Sequence, residues 1–99
     1  MEDIKIVLKR AAAYPPEAAD QNIGFGLKEL NERLALAKAQ GMSTTTLTDD
    51  EMLDTEADIL AARISCIPSA CVDAHNKYVD LLVAKGVPEG LLPERRSNW

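Results

Sequence analysis

The stretch TDDEMLDTEADILAARISCIPSACVDAHNKYVDLLVAKG, residues 48–86, decides how the rest of the chain must be arranged. It opens with a capping box, in which the Thr48 hydroxyl can accept from the backbone of Glu51 while the Glu51 carboxylate reaches back to Thr48. Leu47 and Met52 stand at the positions of a hydrophobic staple. Asp49, Asp50 and Glu51 place negative charge in the first turn, where the helix dipole favours it. At the far end Lys85-Gly86 reads as a C-cap with glycine in the left-handed conformation; Val87 can fold back on Leu82, and Pro88 stops any continuation. Between the caps Leu53, Ala57, Leu60, Ile64, Ile67, Cys71, Ala74, Tyr78 and Leu81 recur at alternating spacings of four and three, the pattern of long, nearly parallel helix packing. Pro68 falls inside this seam, and an interior proline costs roughly 3 kcal/mol. Because the seam keeps its phase across the proline, the expectation is one long helix over 49–85, about 55 Å at ~1.5 Å per residue and kinked at residues 64–68. Two collinear helices are the alternative.

Working outward, Ile23, Leu27, Leu30, Leu34 and Ala37 repeat the same spacing, and Gly41 follows as a stop. Pro15 and Pro16 suit the start of this helix, because a first turn has no use for the donors they lack. Gly24 and Gly26 weaken its entry, which puts the regular start near residue 22. The short polar link GMSTTTLT returns the chain as an antiparallel hairpin. Residues 3–13 fit a short helix through Ile4, Val7, Leu8 and Ala11, although IKIVLK also has strand propensity. The chain therefore divides into one α-helical domain over residues 1–86 and an extended C-terminal tail over 87–99, VPEGLLPERRSNW, with two prolines, a glycine and no period.

The fold class is all-α: a helical hairpin with a long kinked second arm and a short N-terminal helix. The second arm is longer than a 99-residue monomer can cover. The expected solution is a homodimer forming a four-helix core, its seam carried by Leu53, Leu60, Ile64, Ile67, Tyr78 and Leu81.

Composition limits the functions open to such a chain. Sixteen acids against eleven bases give a net charge of −5, which disfavours nucleic acid, since a phosphate backbone demands a positive footprint. One Phe, two Tyr and one Trp supply little surface for stacking on bases or sugars. The start MEDIKIVLKR has acids at positions 2 and 3 and a three-residue apolar run, unlike a signal peptide. No stretch approaches the ~20 apolar residues of a membrane span. A cytoplasmic setting with reduced thiols is expected.

The candidate chemistry is concentrated in ISCIPSACVDAH, residues 64–75, which holds both cysteines and the only histidine. Cys71 and His75 share a helical face, but with Cys66 they make three ligands where a structural zinc site wants four. Redox helices carry C-x-x-C; here the spacing is C-x4-C, and residues 66 and 71 lie roughly 140° apart around a regular helix. CVDAH resembles the second half of the cysteine–cysteine–histidine pattern of the carboxymuconolactone decarboxylase and alkylhydroperoxidase group, and GVPEGLL resembles the glycine segment that follows there. The likeness covers some twenty residues. The first cysteine is displaced by two positions and the stretch from histidine to glycine is longer. Losing C-x-x-C removes the group's chemistry, so membership is not claimed. The resemblance implies only an alternative, a thiol-redox or metal-dependent enzyme using Cys66, Cys71 and His75. A core cysteine between Ile67 and Ala74 fits the seam better.

Two further segments suit partner binding. DDEMLDTEAD places Asp50, Asp54 and Asp58 in a line at i, i+4 and i+8, a strip for a basic partner that lacks the alternation and central glycine of a calcium loop. The tail offers Arg95, Arg96 and Trp99, residue types enriched at binding hot spots. Catalytic triads and phosphate loops are absent from the sequence. The expected role is a non-catalytic protein–protein interaction module, an adaptor, assembly factor or small inhibitor, pairing with itself and with another protein and using no metal or cofactor.

Overall fold

The periodic stretches fold as helices in a computed structural model that describes residues 3–17 and 23–98. The order is α1 (Ile4–Glu17), α2 (Ile23–Ala39), α3 (Asp49–Ser65) and α4 (Pro68–Ala84), then a single 3-10 turn at Glu89–Leu91. Among the described residues there is no strand, so IKIVLK is helical.

Asp3 stands just before α1, and its carboxylate accepts from the Lys5 amide at 3.0 Å. Leu8, Ala11 and Ala12 are buried. Pro15 and Pro16 lie inside the last turn of α1 rather than opening α2, which corrects their expected place. The physical consequence falls on α1's own ladder. The carbonyl of Ala12 would normally receive the N–H of residue 16, and a proline has none. The buried Tyr78 hydroxyl supplies the missing donor, reaching the Ala12 oxygen at 2.8 Å. Burial holds the Tyr78 phenol well above its ordinary pKa of 10.0.

α2 buries Leu27, Leu30, Leu34 and Ala37, the four seam positions among its described side chains, and α1 packs along it. It ends as a Schellman motif: Gly41 takes φ 97°, its N–H bonds to Lys38 and that of Met42 to Ala37. The link to α3 is held from both sides. Thr44 is buried and donates to the Leu34 carbonyl at 2.8 Å. The Asn31 side-chain amide grips both backbone groups of Leu47, accepting at 2.6 Å and donating at 3.3 Å. The Thr45 N–H reaches the Lys85 carbonyl at the end of α4. There Gly86, at φ 84°, closes the second Schellman motif with Val87 folded onto Leu82. A Cβ on Gly86 would meet the Ser43 carbonyl oxygen at 2.1 Å, so only glycine lets the link pass this close.

The stretch 49–85 is not one kinked helix, nor two collinear ones. α3 stops at Ser65, Cys66 takes the left-handed conformation (φ 56°, ψ 22°), Ile67 is extended, and Pro68 begins α4. The chain reverses here. Asp58 pairs with Lys77 at 2.5 Å and Glu51 with Lys85 at 2.7 Å, while the Cys71 thiol donates to the Ala62 carbonyl at 3.5 Å. Those pairs place the start of α3 beside the end of α4, an antiparallel hairpin across a two-residue link. The reason is local: the residue before a proline is driven to extended backbone, and proline at a first helical position is pre-shaped to start a helix.

The core lies where the helices converge on Leu8, Leu30, Leu34, Leu47, Ile59, Tyr78 and Leu82. The segment after Gly86 lies against it: Val87 is buried, and Leu91 and Leu92 pack on the cluster. No helix among the described residues is long and apolar enough to cross a membrane.

Candidate interaction surface

α3 is built with two apolar faces. Its capping box is complete: the Glu51 N–H donates to the Thr48 hydroxyl at 3.1 Å, and the Thr48 N–H to the Glu51 carboxylate at 2.9 Å. This start fixes which side of the helix meets the body. The inward face carries Met52, Thr55, Ile59 and Ala62, of which Ile59 and Ala62 are buried. The outward face carries the expected seam. Leu53 is 62 % exposed, Leu60 39 %, Ile64 81 %, and Ile67 in the turn 53 %. Leu53, Leu60 and Ile64 form one line on α3 with the exposed Ala57 between them, and Ile67 stands past the end of the helix. This ridge, the outward apolar face of α3, thus stays in contact with water.

Beside the ridge, the gap between α3 and α4 is a trough of about 370 Å³ floored by Ala61, Ala62, Ala70 and Ala74. Alanines leave the trough because they stop at Cβ. Its rim is charged, with Asp58 and Lys77 paired across it. The Asp58 contact, with a smaller contribution from Asp54, raises the Lys77 pKa. The hydrogen bond from Lys85, helped by the Thr48 amide, lowers the Glu51 carboxyl below its ordinary value of 4.5.

The other seam residues lie elsewhere. Tyr78 is buried against α1, and Leu81 is half-buried against the core, so neither continues the outward ridge. Asp50 and Asp54 are exposed on α3, whereas Asp58 is engaged by Lys77. Arg95 is ion-paired with Asp80, Arg96 is tied through its backbone to Asn76, and Trp99 lies outside the described residues.

Cys66 is exposed and Cys71 half-buried, both as free thiols. Their sulfurs face carbonyls of α3, Arg63 for Cys66 and Ala62 for Cys71. His75 is buried and donates from Nε2 to the Glu94 carbonyl at 2.6 Å, toward the tail. Among the described residues no three His, Cys, Asp or Glu side chains are grouped to hold a metal ion. Sequence reasoning missed Asn31 and Asn76, since an isolated asparagine on a helix carries no periodic signal. It also missed the 52/55/59/62 face, which the stronger 53/57/60/64 line outweighed.

No protein-family profile matches the chain, and no curated protein or solved structure matches it either.

Proposed function

We propose that this chain is a non-catalytic protein–protein interaction module of the cytoplasm that acts as a helical homodimer through the outward face of α3. The observation that carries this reading is the exposed line Leu53, Leu60 and Ile64 on α3, with the exposed Ile67 in the turn beyond it. A second copy suits it for three reasons. The ridge and the alanine trough lie side by side, so a two-fold arrangement seats each ridge in the other's trough. An antiparallel crossing also keeps Asp49, Asp50 and Asp54 away from their own counterparts. Finally, the four exposures together amount to more than two fully exposed side chains. At ~1.5–3 kcal/mol each, covering them contributes roughly 4–7 kcal/mol per protomer. Association costs about 4–15 kcal/mol, so a partner that contributes the same surface again is favoured over one that is merely covered.

Sedimentation of the wild-type chain and of Ile64→Asp tests the reading. The wild type should be a dimer that dissociates on dilution, and Ile64→Asp a monomer with unchanged helical circular dichroism. A wild-type monomer at every concentration, or a dimeric Ile64→Asp, overturns it. No observation favours the thiol or metal enzyme. If that alternative were correct, a Cys66→Ser, Cys71→Ala chain would lose activity or a bound metal rather than keep its partner.

A further inference from the structure

A different surface, on α4 and apart from the α3 ridge, holds the C-terminal segment. Residues 94–96 are each held by a side chain of α4. His75 Nε2 donates to the carbonyl of residue 94 at 2.6 Å. The Asp80 carboxylate pairs with the Arg95 side chain. The Asn76 amide then takes both backbone groups of residue 96, donating to its carbonyl and accepting from its N–H at 2.9 Å each. A side-chain amide bonded this way replaces one rung of a β-ladder and is indifferent to the side chain it holds. The carboxylate supplies the selectivity, for a cation at one fixed position. The same amide device joins Asn31 to Leu47, where it is part of the folded body.

The tail lies on the surface: residues 94–98 are exposed, and residues 93–98 themselves wall most of an open space of about 500 Å³ that Ala13 and His75 complete. Val87, Leu91 and Leu92 meanwhile anchor the chain just upstream, so this tail is confined beside its own α4 and badly placed to reach a second copy.

We propose that the α4 strip of His75, Asn76 and Asp80 recognises an extended, arginine-bearing peptide of another protein, and that residues 94–96 occupy it in cis as a replaceable stand-in. The test uses the full chain and a dye-labelled hexapeptide of sequence PERRSN, read by fluorescence anisotropy. In an Arg95→Glu chain the tail is repelled by Asp80 while the three reading side chains stay intact. For a tail seated in about nine of ten wild-type molecules, releasing it would raise the apparent affinity for the peptide about tenfold, and any tail seated most of the time predicts a gain of the same sign. Adding Asn76→Ala should abolish that binding with helicity unchanged. An Asp80→Arg chain should instead prefer a PEERSN peptide, a reversal that a damaged fold would not produce. Equal binding to wild-type and Arg95→Glu chains overturns the proposal, as does binding insensitive to Asn76→Ala. Mixed dimers of wild-type and Arg95→Glu chains that dissociate on addition of PERRSN would make a second copy the tail donor and overturn the assignment to another protein.

Discussion

The apolar lines of α2 and α3 have the same spacing and opposite fates. Leu27, Leu30, Leu34 and Ala37 are buried to the last atom or nearly so, whereas Leu53, Leu60 and Ile64 face water. Periodicity states that a helix has an apolar face; it does not state what covers it. α2 is covered by α1, while α3 spends a weaker face, with Thr55 and Ala62 among its members, on the body of the protein. The stronger face is left outside. On α2 hydrophobicity stabilises the fold, and on α3 most of it is left facing water.

The sharpest way to break the comparison is to truncate both lines. Leu34→Ala should cost about 2–5 kcal/mol in urea denaturation, the range for emptying a packed core site. Ile64→Ala, measured on monomer at low concentration, should stay within about 0.5 kcal/mol of wild type, as exposed substitutions do. Equal losses would mean that the α3 ridge is structural. A smaller effect is expected at Tyr78 of α4. Tyr78→Phe leaves the Ala12 carbonyl buried without its donor and should cost about 1–3 kcal/mol. Most of that loss should vanish in a Pro16→Ala background, where residue 16 regains an N–H to offer; a double-mutant cycle with no coupling would refute the account of Tyr78. Thr48→Ala should cost about 1 kcal/mol by removing one half of the capping box, visible as a lowered Tm.

The last effect is electrostatic. Because the folded state lowers the Glu51 pKa, its contribution is present above the ordinary value of 4.5 and is lost as pH falls through the folded value. Stability should therefore decline on acidification, and the decline should be shallower in Glu51→Gln. Parallel curves for the two chains would show that the Lys85 contact adds nothing in solution.

How much of this was legible depends on how local the signal is. The Thr48–Glu51 box, the Gly41 and Gly86 caps and the α2 line are each written in a few adjacent residues, and each is found as expected. The reversal at Cys66 was legible in principle, since Ile67-Pro68 carries both the extended residue before a proline and a proline at a helix start. The unbroken four-three spacing outweighed it. That continuity has no common cause: Leu60 and Ile64 point out of α3 while Tyr78 points into the body from α4. The Tyr78–Ala12 bond was not legible, because it joins a deficit created by Pro16 to a donor 66 residues from its acceptor.

That same bond bears on the order of assembly. α1 with α2, and α3 with α4, are sequence neighbours that pack on each other, so each pair closes a short loop at little entropic cost. Proteins dominated by such local contacts fold in microseconds to milliseconds. The Tyr78 hydroxyl spans the two pairs and forms only once both are in place. Its removal should leave the refolding rate nearly unchanged and accelerate unfolding, so that the Pro16 defect and its repair govern how long the molecule stays folded rather than how quickly it gets there.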